Sequence, residues 1–309
     1  MKRMRAIDAN RIFLASVIFS QGMIYLVSGV GVRDRMVLQI LVQLFLVTPA
    51  IAYLFMQGIS LKEGLSVRAI GWKEGLLLVP LALCVNKLAE FINVFSQLFT
   101  VNTISESMTE LIVKYPFPFA FFTIAVVPAV CEEALCRGVL YRGYRNCGRW
   151  VAILLTAFLF AILHMNPNQF FYAFALGIIF ALVNDITESI LPSVLLHLYI
   201  NGRSVVLLYL SVKGGEEVLQ EQVTLTSAMI REHLLLILPW TVVSVAGIVL
   251  IVFLLVRCRE RREQRKVSLF RREEIEPKSE PGGFATVYSP ALVAGVLICI
   301  AYMILRMGN

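Results

Sequence analysis

Nine stretches of this chain are continuous apolar runs, most of them near the length that crosses a bilayer. They cover residues 12–30, 36–56, 75–99, 117–142, 150–165, 169–186, 190–210, 233–256 and 288–307. A hydrocarbon core about 30 Å thick needs about 20 mainly apolar residues in a helix. In lipid every backbone polar group must be satisfied internally, so only helices and closed barrels span. The runs lack the period-2 alternation of barrel strands. They predict an all-α fold, a polytopic transmembrane helical bundle of about eight core spans plus one C-terminal span. The fifth and sixth runs are short and are expected inside the bundle, away from lipid. No repeat of 20–50 residues is visible.

Composition excludes the competing classes. Of 309 residues, 58% are hydrophobic and 16% are charged, whereas a soluble domain is about half apolar and a quarter charged. That excludes a soluble enzyme, a disordered chain and a nucleic-acid-binding domain, despite a net charge of +7. Six cysteines stand at 84, 131, 136, 147, 258 and 299, with no CxxC pair and none in an expected outer loop. This argues against disulfides and against a thiolate metal site.

Basic residues set the expected orientation. With the N-terminus in the cytoplasm, alternation places most Lys and Arg on the cytoplasmic side. These include Arg142, Arg145 and Arg149, and the run Arg257, Arg259, Arg261, Arg262, Arg265 and Lys266. The acidic loops with Glu106, Glu110, Glu216, Glu217 and Glu221 fall opposite. This is the positive-inside pattern, and it predicts a multi-pass protein of the cell (plasma) membrane. The first run, behind Lys2, Arg3, Arg5 and Arg11, lacks a convincing small-residue cleavage site and reads as a retained helix rather than a signal peptide. Trp72 and Trp150 begin spans, where an interfacial indole is favoured. The basic run at 257–272 reads as a juxtamembrane topology signal in contact with membrane lipid, not as a nucleic-acid site. The expected organisation is 1–74 (two N-terminal spans with a basic tail and loop), 75–212 (a catalytic membrane core), 213–256 (an outer loop and the eighth span), 257–287 (a basic cytoplasmic linker) and 288–309 (a last span, appended to the body).

Charges inside apolar runs carry the functional signal. A charge at mid-bilayer costs about 2.5–3.5 kcal/mol on insertion scales, so such residues usually face a cavity and act there. Lys87 and Glu90 are three apart on one helix and are expected to pair. In Cys131-Glu132-Glu133-Ala134-Leu135-Cys136-Arg137, Glu133 and Arg137 are four apart and form a candidate ion pair. Glu132 is turned about 100° away with no local cation. A desolvated carboxylate of that kind can act as a base. Pro128 removes a backbone hydrogen bond one turn earlier, which bends the helix and admits water. Glu132 lies 16 residues before Gly148 and His164 lies 16 after it. A hairpin around Gly148 therefore brings both to one depth, where His164 can share the proton of a water held by Glu132. His197 and Asn201, four apart, share a face that reaches the same depth and can hydrogen-bond an oxyanion.

These residues resemble an ordered set. Glu132-Glu133-xxx-Arg137, then Phe160-xxx-His164, then His197-xxx-Asn201, with Arg137-Gly138-Val139-Leu140 and Asn201-Gly202, are similar to the three motifs of the CAAX protease and bacteriocin-processing family of intramembrane proteases. That family includes the type II CAAX prenyl endopeptidases. The resemblance covers roughly residues 75–210. It implies Glu132 as the base that activates water, His164 as its assistant, and His197 and Asn201 as stabilisers of the tetrahedral intermediate. Glu133 and Arg137 would support or tune Glu132.

The expected activity is hydrolysis of a peptide bond in a membrane-associated or lipidated protein or peptide, in a cavity open to the cytoplasm or laterally to lipid. No cofactor is expected. A zinc-dependent version would use Glu132, His164 and His197 as a His2Glu set. Asn201, a neutral amide, suits an oxyanion hole better, and the HExxH helix of soluble zincins is absent. The other classes that keep the constellation are a catalytically silent membrane scaffold or immunity factor, and a transporter.

Overall fold

The computed structural model describes residues 4–100, 104–213, 227–263 and 287–307. Among these residues it is helical without strands. We number the longer helices α1 (Ala6–Gly29), α2 (Arg35–Met56), α3 (Trp72–Ser96), α4 (Ile104–Lys114), α5 (Phe117–Arg145), α6 (Arg149–Leu163), α7 (Pro167–Thr187), α8 (Leu191–Lys213), α9 (Ser227–Glu263) and α10 (Pro290–Met307).

Local chemistry sets the boundaries. The Asp34 carboxylate accepts from the Met36 and Val37 amides at 3.0 and 3.1 Å and caps α2. Asn166 caps α7 by accepting from the Gln169 amide at 3.0 Å, and Pro167 follows it as the first helical residue. Gly148 takes φ +127° in the hairpin between α5 and α6, a conformation that L side chains rarely adopt.

Seven helices are long and apolar enough to cross a membrane: α1, α2, α3, α5, α7, α8 and α9. As the sequence suggested, α6 is short, at 15 residues. The sixth span is not: α7 has 21 residues, because its helix begins at the Asn166 cap and runs through Asp185 and Thr187. α9 continues through the basic residues to Glu263, so Arg257–Arg262 form its final turns. Arg265, Lys266 and the rest of the expected linker to 286 lie outside the described residues, as do Glu216, Glu217 and Glu221.

One apolar core joins α1, α2, α6, α10 and the C-terminal half of α5. A second joins α3, α7, α8 and α9. The last helix is not set apart from the body. The Asn10 amide donates to the Val287 carbonyl at 2.7 Å and to Ser289 Oγ at 2.8 Å, and accepts from the Tyr144 hydroxyl at 2.7 Å. Gly295 packs so tightly on α1 that a Cβ there would come within 2.7 Å of the Phe13 ring.

The two ends of the bundle are tied differently. At one end Asp185 meets Arg145 at 3.0 Å and Arg149 at 2.6 Å. Glu188 meets Arg68 at 3.1 Å and Arg259 at 3.0 Å, while Arg262 meets Glu74 at 2.9 Å. Part of the basic run therefore serves to fasten α9 to α3 and α7. At the other end Asp34 pairs with Tyr115 and Lys114, Arg35 pairs with Glu110, and Asn168 donates to Ser96 at 2.6 Å. The Tyr115 hydroxyl, the largest influence on Asp34, holds its carboxyl below the ordinary value. Lys87 and Glu90 pair at 2.9 Å, as their spacing implies.

Candidate active site

α5 carries the first motif and is not uniformly α-helical. Its turns widen to the π form at Phe122–Val126 and again at Ala134–Leu140, on either side of the α turns that hold Glu132 and Glu133. Such widened turns recur at functional sites. Pro128 has no N–H to offer the Ile124 carbonyl one turn earlier. The Asn201 side chain supplies it, with Nδ2 donating to Ile124 O at 3.3 Å. That bond uses one of two N–H donors and fixes Asn201 against α5.

The adjacent carboxylates occupy different surroundings. Glu133 and Arg137 are fully buried and bond at 2.8 Å. Arg137 also donates to the Gly177 carbonyl at 3.0 Å, and its guanidinium lies 4.4 Å from the Phe160 ring centre. Glu133 reaches His197 Nδ1 at 3.1 Å on its other side. Glu132 faces a cavity. Its Oε1 accepts from Gln43 Nε2 at 2.7 Å. Its Oε2 is buried and has no hydrogen-bond partner among the described residues.

Two imidazoles face that oxygen. His164 ends α6, and its Nδ1 donates to the Phe160 carbonyl at 2.8 Å. Neutral His164 thus keeps its Nε2 lone pair, 3.9 Å from Glu132 Oε2. His197 donates from Nδ1 to Glu133, and its Nε2 lies 4.0 Å from the same oxygen. Phe160 and Phe180 flank the His197 ring, with centres at 5.6 and 5.7 Å. The separations suit groups bridged by one small molecule, not groups bonded directly. Among the described residues no three His, Cys, Asp or Glu side chains close on a common metal-binding point.

A cavity of about 1110 Å³ contains Glu132, His164, His197 and Asn201 in its wall. The structure therefore brings those four predicted residues together, and it holds Glu133 and Arg137 behind them. The cavity extends toward Gln21, Gln39, Gln97 and Asn166, at the end of the bundle opposite the basic connections. Of the two expected openings, to the cytoplasm or laterally to lipid, neither is decided by the lining residues, which lie away from the basic end. The reason for that placement is packing. Toward the basic end Leu135, Val139, Leu140 and Tyr144 fill the space beside α5, all 0% exposed.

Sequence reasoning missed Gln43. It stands on α2, 89 positions from the residue it bonds, and carries no charge. Its signal was weak but present: Gln39 and Gln43 sit four apart inside an apolar run, so two amides share one helix face at membrane depth.

Residues 114–203 match the family model described as Rce1-like, type II CAAX prenyl endopeptidase. That segment is similar to the Rce1-like family. Its limits enclose every residue of the three motifs and exclude Gln43. The Rce1-like segment spans α5 to the middle of α8, so α1 and α2 build the cavity from outside it. Neither the curated proteins nor the solved structures yield a match. The family is one of endopeptidases by its description, and the apolar helices place the Rce1-like segment in an integral membrane protein.

Proposed function

We propose that the chain is an intramembrane endopeptidase that cleaves a membrane-associated or lipidated peptide or protein with water activated by Glu132. One observation carries the proposal: Glu132 Oε2 sits in a cavity with the Nε2 atoms of His164 and His197 at 3.9 and 4.0 Å. A water between these groups gives its proton to Glu132 and attacks the scissile carbonyl carbon. The carbonyl oxygen becomes an oxyanion. The second N–H of Asn201 supports it, together with His197 whenever Nε2 carries a proton. Glu133, bonded to His197 Nδ1, fixes the ring and balances its charge. Collapse breaks the C–N bond, and the leaving nitrogen takes the proton held by Glu132, with His164 assisting. Gln43 orients the carboxylate so that Oε1 is occupied and Oε2 faces water. Further amides in the wall, Gln21, Gln39, Gln97 and Gln169 among them, offer both donors and acceptors to a peptide main chain. In this proposal residues 75–212 form the catalytic core, and the N-terminus lies on the cytoplasmic side of the plasma membrane.

A zinc-dependent version of the same reaction would use the two histidines and Glu132, side chains that among the described residues do not close on a common metal-binding point. A metal there would act as a Lewis acid on the carbonyl. Purified protein should cleave a membrane-anchored peptide, and Glu132→Gln and His164→Ala should each abolish turnover with thermal unfolding unchanged. Full activity of Glu132→Gln refutes the mechanism. Chelator-insensitive turnover removes the zinc version, and activity lost to chelator and restored by zinc establishes it. A protein that is folded yet silent on every membrane-anchored peptide would leave the scaffold reading.

A further inference from the structure

Among the described residues the cavity lining extends toward one end of the bundle, and the chemistry of the two ends bears on which side of the membrane that is. From Glu132 to Arg142 there are ten residues, about 15 Å of helix. That interval is closed: Leu135, Val139, Leu140 and Tyr144 are fully buried in the core shared with α1 and α6. In the other direction the cavity passes along the C-terminal half of α1, the N-terminal half of α2 and the end of α3 to Gln97 and Asn166. Gln97 and Asn166 neighbour the latch of Ser96 with Asn168. The closed end carries Arg68, Arg142, Arg145, Arg149 and the basic last turns of α9. Connections rich in Lys and Arg stay in the cytoplasm during insertion.

We propose that peptide reaches Glu132 from the extracytoplasmic face. The substrate class is then the exported, membrane-adjacent stretch of an anchored peptide or protein, not a carboxyl terminus presented from the cytoplasm. The word substrate rests on the protease reading above; the side on which the cavity opens does not.

Thiol labelling tests the side. Cys258 lies on the basic turns of α9 and is half-buried, so it marks the closed end. Gln97→Cys places a thiol at the cavity mouth. A membrane-impermeant maleimide is applied to intact cells and to inverted vesicles, and each cysteine is mapped by mass. The introduced thiol should react in intact cells, and Cys258 only in inverted vesicles. Reaction of both from one side, or of the introduced thiol from the cytoplasmic side alone, overturns the proposal. Substrate is tested with two single-span peptides that carry one cleavable sequence outside or inside. Cleavage of the outer sequence alone is expected, and cleavage of the inner one overturns the proposal. If the labelling is as expected and neither peptide is cut, the side stands and the protease reading falls.

Discussion

Arg137 is fully buried in the bundle, and its removal should cost more than any other single truncation near the site. The guanidinium bonds Glu133 at 2.8 Å, donates to Gly177 O at 3.0 Å and lies 4.4 Å from the Phe160 ring centre. Arg137→Met keeps the volume and removes the charge. Breaking a buried ion pair from one side costs about 3–5 kcal/mol, since it strands the other charge. Loss of the ring contact adds about 0.5–2 kcal/mol. At about 2–4 °C per kcal/mol for a chain of 150–250 residues or more, Tm should fall by on the order of 10 °C. The double variant Glu133→Gln/Arg137→Met removes both charges and leaves Gln as an acceptor for His197 Nδ1. It should be less destabilised than the sum of the single variants, with a coupling of about 1–3 kcal/mol. Thermal unfolding of the four proteins in detergent, followed by circular dichroism, completes the cycle. A wild-type Tm for Arg137→Met, or strictly additive losses, refutes the pairing as a structural element.

Gln43→Leu removes the donor on Glu132 Oε1, a bond to a carboxylate of the class worth about 1.5–3 kcal/mol. Steady-state kcat/KM should fall about 10- to 100-fold, and an unchanged value removes Gln43 from the site. A Cβ at Gly177 would stand 2.8 Å from Ala157 Cα, so Gly177→Val should lower stability by about 1–3 kcal/mol and displace the carbonyl that Arg137 uses. A melt that matches wild type would contradict that contact. Tyr115 holds the Asp34 carboxyl below its ordinary value, so the tie between α2 and the end of α4 is complete above the unfolded value. It is lost as pH falls through the lower, folded one. Hydrogen exchange in α4, corrected for intrinsic rate, should quicken in acid, and Asp34→Asn should remove that pH dependence.

The spans and the depth of the site were legible because they depend on length and period alone. Counting 16 residues either side of Gly148 put Glu132 opposite His164, and their side chains approach to 3.9 Å. The spacing of four put Glu133 on Arg137. The closed half of the bundle was not legible, because Leu135, Val139 and Tyr144 read like any apolar helix until neighbouring helices close on them. Gln43 was hidden for a related reason: a neutral amide 89 positions away has no sequence period linking it to the motif. The acidic partners of Arg259 and Arg262, Glu188 and Glu74, belong to other parts of the chain, so the basic run read only as a juxtamembrane topology signal.

The bonds of Asn10 to Val287 and Ser289 have a consequence for biosynthesis. Asn10 is made long before two of its partners, which follow it in the chain by 277 and 279 positions. Until then a polar amide on α1 must wait at the membrane with part of its hydrogen bonding unmet, which is costly in lipid. The packing of α1 is thus finished only when the residues that lead into α10 arrive. A chain cut short before residue 287 would carry an exposed polar site on α1, a mark by which membrane quality control could recognise it as incomplete.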